Sequence, residues 1–526
     1  MHLLEITVAL MAACVAFAVL ARRTRLPYAV VLVLGGMGLA FVPGLPHLRL
    51  DPELALAAFL PPLLQASAWR TDWRQFRASI RPILLLAFGA VIFTALCVAV
   101  VARLLLPDLP WAAAIALGAV VAPPDAVAAA SILKRLPLPQ RVITVLEGES
   151  LMNDASALVL FRLAVGALAA GSVSPALAAL TFLGVGLGGM AVGWAVAWVA
   201  GRLTPRLGDT LLEVALTFLT AYVAYLAAEA LEVSGVMAVV TCGILLVRGQ
   251  RNLLSARTRT EARATWGFVE FALTSLVFIL VGLQLNSILE RLGPYSTGFL
   301  AVAAAALSAT LILSRLAWVM PFALLPALFP ATSRFIATKD GLPLPREAVV
   351  IGWAGMRGVV SLATAIALPN DTAHRELLVF LAFVAILATL VVQGTTLGWV
   401  IMRLKVALPG RDGMDREEAA ARRAMARAAL GEVQGRLDSP LDGAIARDLV
   451  GEFRDIDRVY SGVAAGGAQA EMLARLQIRL AAIRSARRAL IEHEAGSTTS
   501  EEMLAGLLAE TDHEELRLMR QISQTR

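Results

Sequence analysis

The feature that most limits how this chain can fold is an apolar run of about twenty residues, repeated along most of its length. Thirteen such runs fall at approximately 3–20, 27–43, 52–69, 82–105, 111–133, 142–168, 176–200, 210–230, 233–248, 264–286, 296–325, 347–368 and 377–402. A helix of roughly 20 apolar residues crosses the ~30 Å hydrocarbon core of a bilayer. Helices also satisfy their own backbone hydrogen bonds where no water can. The runs therefore predict an all-α polytopic membrane protein with about 13 transmembrane helices. Composition agrees: 16% of residues are charged and the mean hydropathy is +0.73, whereas soluble domains carry about 25% charged residues.

Charge in the loops alternates. Basic clusters stand at Arg22, Arg23 and Arg25; at Arg70, Arg74, Arg77 and Arg81; and at Lys134, Arg135 and Arg141. They recur at Arg202 and Arg206, from Arg248 to Arg263, at Arg334, Lys339 and Arg346, and at Arg403 and Lys405. The intervening loops hold at most one Arg each. Cytoplasmic loops collect Lys and Arg, so the pattern predicts a multi-pass protein of the cell inner (plasma) membrane, N-terminus outside and C-terminus cytoplasmic. The first cations follow the first apolar run, which favours a retained span over a signal peptide. The net charge of +6 does not point to nucleic acid, because residues 406–526 hold 17 Lys/Arg against 20 Asp/Glu and the excess lies in the membrane loops. Cys14, Cys97 and Cys242 sit inside apolar runs and predict no disulfide framework. From about residue 405 the chain turns charged, and 416–437 and 471–494 read as two amphipathic helices of a cytoplasmic tail, 405–526.

Two runs are interrupted. The fifth contains Pro123 and Pro124, which lack N–H donors and should unwind the helix near 121–125. In the twelfth, Gly352, Gly355 and Gly358 loosen the chain around Arg357. Unwound backbone at that depth is tolerated only inside protein or along a cavity. If the glycine-rich seventh run is a connector, runs 1–6 and 8–13 form two inverted six-helix repeats whose fifth members are both discontinuous. Such pairs point to a transporter's midplane site.

Charges inside the runs are costly, about 2.5–3.5 kcal/mol each on insertion scales. They include Asp125, Glu147, Glu149, Asp154, Arg162, Glu213, Glu229, Glu270, Arg315 and Arg357. No histidine or lysine lies deep in a run, so a proton carrier here must be a carboxylate. In LEGESLMNDASAL, 146–158, Glu149 and Asn153 share a helix face, with Asp154 about 100° further round. Burial disfavours the charged form of an acid. A partly desolvated Asp154 can hold a proton or a monovalent cation but not both, and that competition suffices for exchange. Glu149 suits neutralisation of Arg357, and Glu147 suits capping or pairing. Arg162, Glu213, Glu229 and Arg315 read as structural pairs. Ser150, Ser361 and Thr364 offer oxygen to a hard cation, and ordinary helix–helix hydrogen bonding is open to them equally.

GESLMND at 148–154 resembles the signature of the monovalent cation:proton antiporter-1 family, the bacterial sodium/proton exchangers related to animal ones. APPDAVAAASIL and GWAGMRGVVSLATAIALP resemble that family's two broken spans, and FLPPLLQASAW and VVQGTTLGWV resemble further stretches, so the likeness covers about 5–403. The resemblance implies exchange of Na⁺, with Li⁺ possible, for H⁺ by alternating access, without a cofactor. It implies that Asp154 binds the cation and the proton, that Asn153 marks electroneutral 1:1 exchange, that Asp125 sits at the helix crossing and that Glu149 pairs with Arg357. It further implies a homodimer in membrane lipid, with a transmembrane domain at 1–404. Its core spans, about 82–168 and 296–402, move against dimerisation spans at about 1–69 and 210–286, joined by a connector at about 176–200. Gln65 stands where relatives often carry an acid, and Thr274 stands where the animal-type motif has one, with Glu270 a turn earlier. K⁺/H⁺ exchange by the same fold stays open. A channel lacks a repeated filter segment, and an intramembrane hydrolase lacks HExxH, GxSxG or a buried base for Ser150.

Overall fold

The computed structural model describes residues 2–24, 26–42, 52–71, 73–125, 128–129, 133, 136, 138–170, 175–293, 295–328, 344–406, 412–437, 443–460, 467–494 and 501–525. Arg25, Lys134, Arg135, Arg334, Lys339 and most of the far half of the fifth run lie outside them. The chain divides into two units, Met1–Leu408 and Pro409–Arg526.

Among the described residues, the first unit is helical over its apolar runs except at two breaks. Its helices are α1 (His2–Thr24), α2 (Tyr28–Ala40), α3 (Pro52–Arg70), α4 (Ile80–Leu105), α5 (Trp111–Val121), α6 (Gln140–Ala170) and α7 (Pro175–Leu207). There follow α8 (Thr210–Ala230), α9 (Gly235–Leu253), α10 (Ala256–Arg291), α11 (Thr297–Leu328), α12a (Pro345–Trp353), α12b (Val359–Ile366) and α13 (Arg375–Leu404). Among the described residues, α4, α6, α7, α8, α10, α11 and α13 each contain a continuous stretch long and apolar enough to cross a membrane. Shorter apolar stretches occupy α2, α3, α5 and α9. This is an integral membrane protein.

The breaks have local causes. The helix of α5 ends at Val121, two residues before Pro123, because neither proline can donate a hydrogen bond to the turn before it. Pro61 and Pro62, by contrast, lie inside α3 without ending it. In the twelfth run the helix stops at Trp353 and restarts at Val359. Two π-helical turns, Leu85–Ala90 in α4 and Thr389–Gln393 in α13, lie beside these breaks. Packing is close where α2 crosses α10: a Cβ on Gly36 would strike the carbonyl of Ile279, and one on Gly282 would strike that of Val33. Small residues let backbones approach this way when no hydrophobic force drives helices together in lipid.

The second unit contains α14 (Asp412–Gln434), α15 (Gly443–Tyr460), α16 (Gly467–Glu494) and α17 (Glu501–Thr525). Two of these, α15 and α17, go beyond the pair expected from sequence. Arg423 and Arg427 reach Asp457 at 3.3 and 3.1 Å, tying α14 to α15. Leu476, Leu518 and Ile522 form an apolar seam between α16 and α17, with Arg484–Glu515 at 2.8 Å beside it.

Candidate functional site

The two unwound segments cross. Asp125 N donates to Met356 O at 2.7 Å, Asn153 Nδ2 donates to Pro124 O at 2.6 Å, and Arg357 N donates to Thr389 Oγ1 at 3.1 Å. Unwinding strips backbone groups of their helical partners, and each of these bonds returns one. A Cβ on Gly358 would collide with the Asp125 carboxylate. Its backbone is extended, at φ −121°, so glycine is required there for space.

Against this crossing lies a cavity of about 620 Å³. Its polar wall comprises Asp125, Ser150, Asp154, Ser361, Ser67 and Thr274, with Pro123, Pro124 and Gly358 contributing the unwound chain. Leu60, Leu64, Val277 and Phe278 form an apolar wall opposite. Ser150 and Asp154 are four residues apart on α6 and so share a face. Among the described residues no cation stands at ion-pair distance from Asp154, and the charge it feels is that of Asp125. The buried hydroxyl of Thr274 has no hydrogen-bond partner among the described residues. Two carboxylates with hydroxyls around them make an all-oxygen environment, which suits protons and hard cations.

Glu149 faces elsewhere. Its two carboxylate oxygens take Arg315 Nη1 and Nη2 at 2.5 and 2.7 Å, and the guanidinium also donates from Nε and Nη2 to Ile351 O at 3.3 and 3.2 Å. The expected Glu149–Arg357 pair is thus corrected to Glu149–Arg315. The bidentate fork of Arg315 fits a carboxylate plane, and α11 brings it across a sequence separation of 166 residues. Arg357 is buried near both partners, and its Nε and Nη1 have no hydrogen-bond partner among the described residues.

The other candidates divide. Asn153 is fully buried and off the cavity wall, holding Pro124 in place. Gln65 is also off the wall and donates to Thr220 Oγ1 at 3.5 Å. Thr364 donates to Val360 O at 2.7 Å, and neither it nor Glu270 lines the cavity. Arg162 and Glu229 pair at 2.7 Å near the surface. Ser67 was not among the residues singled out from sequence. The available signal was its helical spacing from Leu60, Leu63 and Leu64, which puts a hydroxyl on an otherwise apolar face.

Apolar helices arranged around two crossing unwound segments, with carboxylates at the crossing, make up the architecture of a secondary transporter. A model of the transmembrane sodium/hydrogen exchanger family matches residues 7–403, and the chain belongs to that family. It is 36% identical over 407 residues to an uncharacterized Na⁺/H⁺ exchanger of Mycobacterium tuberculosis, spanning 76% of this chain and 74% of that one. A sodium, potassium, lithium and rubidium/H⁺ antiporter of Bacillus subtilis is 33% identical over 387 residues, spanning 69% of this chain and 56% of that one. In fold the chain is similar to the sodium proton antiporter MjNhaP1 of Methanocaldococcus jannaschii, with a TM-score of 0.57 and 18% identity, over 77% of this chain and 99% of that one.

Proposed function

We propose that this protein exchanges Na⁺, or Li⁺, for H⁺ across the membrane by alternating access, and that Asp154 carries each in turn. The carrying observation is an acid on a cavity wall, beside two crossing unwound segments, with no cation partner among the described residues. One carboxylate that accepts either a proton or a cation couples the two flows, since each must leave before the other binds. Asp125 shares the cavity, and Ser150, Ser67, Thr274 and Ser361 supply neutral oxygens. Asn153 keeps the unwound chain in register without adding charge, which accords with electroneutral 1:1 exchange.

The thirteen runs cross as two inverted halves, with the N-terminus outside and the C-terminus in the cytoplasm, in a homodimer. The core spans, about 82–168 and 296–402, move against the dimerisation spans, about 1–69 and 210–286, through the connector at about 176–200. In that orientation Ser67 lies toward the cytoplasmic end of α3 and Thr274 at the middle of α10. An apolar cavity of about 360 Å³ at Ala55, Phe59, Leu280 and Ala363 continues outward. Leu60, Leu63, Val277 and Val360 border both cavities and stand between them.

Proteoliposomes test this. Na⁺ should drive proton movement, acid should raise the apparent KM for Na⁺ without lowering the maximal rate, and Asp154→Ala should abolish the response. Unchanged exchange in that variant rules Asp154 out. Rates should not respond to a clamped membrane potential. Potassium exchange is the second reading, favoured by the breadth of ions in the name of the Bacillus subtilis relative, and K⁺ in place of Na⁺ decides it.

A further inference from the structure

Asp154 is flanked on α6 by two side chains that reach backbone outside the helix. Asn153 holds Pro124 O in the unwound segment. On the other flank, Ser156 Oγ lies 2.5 Å from Ala87 O on α4 and 2.8 Å from Asn153 O on its own helix. Ser156 is 1% exposed, and its single proton is confined between these two carbonyls. A serine inside a helix ordinarily donates back along its own chain, whereas here the shorter contact is to another helix. Ala87 belongs to the π-helical turn Leu85–Ala90. Pairing at i+5 shifts the carbonyls of such a turn out of α-helical register, and π turns recur at functional sites. Two carbonyls of this turn accept from other helices: Leu85 O from Trp318 Nε1 at 3.2 Å, and Ala87 O from Ser156. Just beyond it, Val91 and Ala95 pack with Ala122, the residue before Pro123, and with Ala157 of α6. A Cβ on Gly118 would strike Ala95 O. The end of α5 and the Asp154 turn of α6 are therefore both seated against α4.

Successive side chains of an α-helix are about 100° apart, so Asp154 and Ser156 point about 200° apart. One faces the cavity and the other faces α4. The bond from Asn153 to Pro124 alone would leave α6 free to pivot about that contact. A second bond, to a different helix, fixes the rotation of α6 about its axis and with it the direction of the Asp154 carboxylate. We propose that Ser156 is a positioning residue for cation binding: its bond to the π turn of α4 keeps Asp154 on the cavity wall beside Ser150. This role rests on Asp154 being the carrier. Without the bond the carboxylate can turn away from the neutral oxygens around it, which weakens cation binding more than it slows the movement of the core. Groups that orient metal ligands from outside typically change affinity by roughly 10–100-fold when removed.

Full-length protein in proteoliposomes tests this role. Ser156→Ala should raise the apparent KM for Na⁺ about tenfold, the lower end of that range, with the maximal rate near that of the wild type. Ser156→Cys keeps the volume but offers only a weak donor, and it should resemble the alanine variant. Trp318→Phe frees the other carbonyl of the π turn without touching α6. It should lower the melting temperature and leave the KM unchanged. An unchanged KM in Ser156→Ala, a wild-type KM in Ser156→Cys, or an equal rise in Trp318→Phe overturns the assignment. Asp154→Ala, measured alongside, separates the two ideas. Exchange that survives it removes the carrier and the positioning role together, whereas exchange lost there with a normal KM in Ser156→Ala removes the positioning role alone.

Discussion

Glu149 and Asp154 sit five residues apart on one helix, and their surroundings are opposite. Glu149 is 1% exposed and both its oxygens are matched by a single guanidinium. Asp154 is half-buried on a cavity wall, and Asp125 supplies the nearest charge described. An acid that owns a cation has its charge settled and becomes part of the scaffold. An acid denied one must find a transient partner, and the solution supplies only protons and metal ions. The difference between framework and carrier therefore lies in where the arginines are, and α11 commits Arg315 to Glu149.

Asp154→Asn should separate the two acids most sharply. It should eliminate Na⁺-driven proton movement in everted vesicles yet leave the melting temperature nearly unchanged, and a large loss of stability would erase the distinction. Glu149→Gln should do the reverse, because it strands a buried guanidinium at a cost of about 3–5 kcal/mol. The double replacement Glu149→Leu with Arg315→Leu should recover most of that stability, since well-packed apolar residues replace a buried pair at little net cost. Failure of the double variant to melt above the single one would mean the pair does more than neutralise itself. Asn153→Ala should lower stability by about 1–3 kcal/mol, the usual result of leaving a buried carbonyl unmet, and slow exchange without changing its ion selectivity. Smallest of all, Arg162→Gln should cost about 0.2–1 kcal/mol in chemical denaturation, as expected of an exposed pair; its partner Glu229 is also partly solvated.

The helices were legible because hydrocarbon imposes one length and one composition on every crossing. The interruptions were legible for a similar reason, since Pro123, Pro124 and the glycines around Arg357 act on the backbone locally. The partner of Glu149 was not. Arg315 and Arg357 are both buried arginines, and only the packing of α11 against α12a decides which reaches the carboxylate. The resemblance singled out Asn153 beside Asp154, but one step along a helix turns the side chain by about 100°, and here that places Asn153 off the cavity wall and against Pro124. The π turn at Thr389–Gln393 leaves no mark in sequence, although it places the hydroxyl that receives Arg357 N. In the tail, α15 did leave a mark: Leu449, Phe453 and Ile456 recur at helical intervals.

The bond from Asp125 N to Met356 O joins main chain to main chain. Ordinary substitution cannot delete it, because every residue except proline brings the same amide to position 125. Provided Gly358 keeps the space beside Asp125 open, the weld between the two interrupted segments does not depend on a particular side chain for its own bond, and selection can retune the carboxylates and hydroxyls around it while the joint survives. Engineering for a new ion can start from that immunity, changing what surrounds the crossing without having to rebuild it.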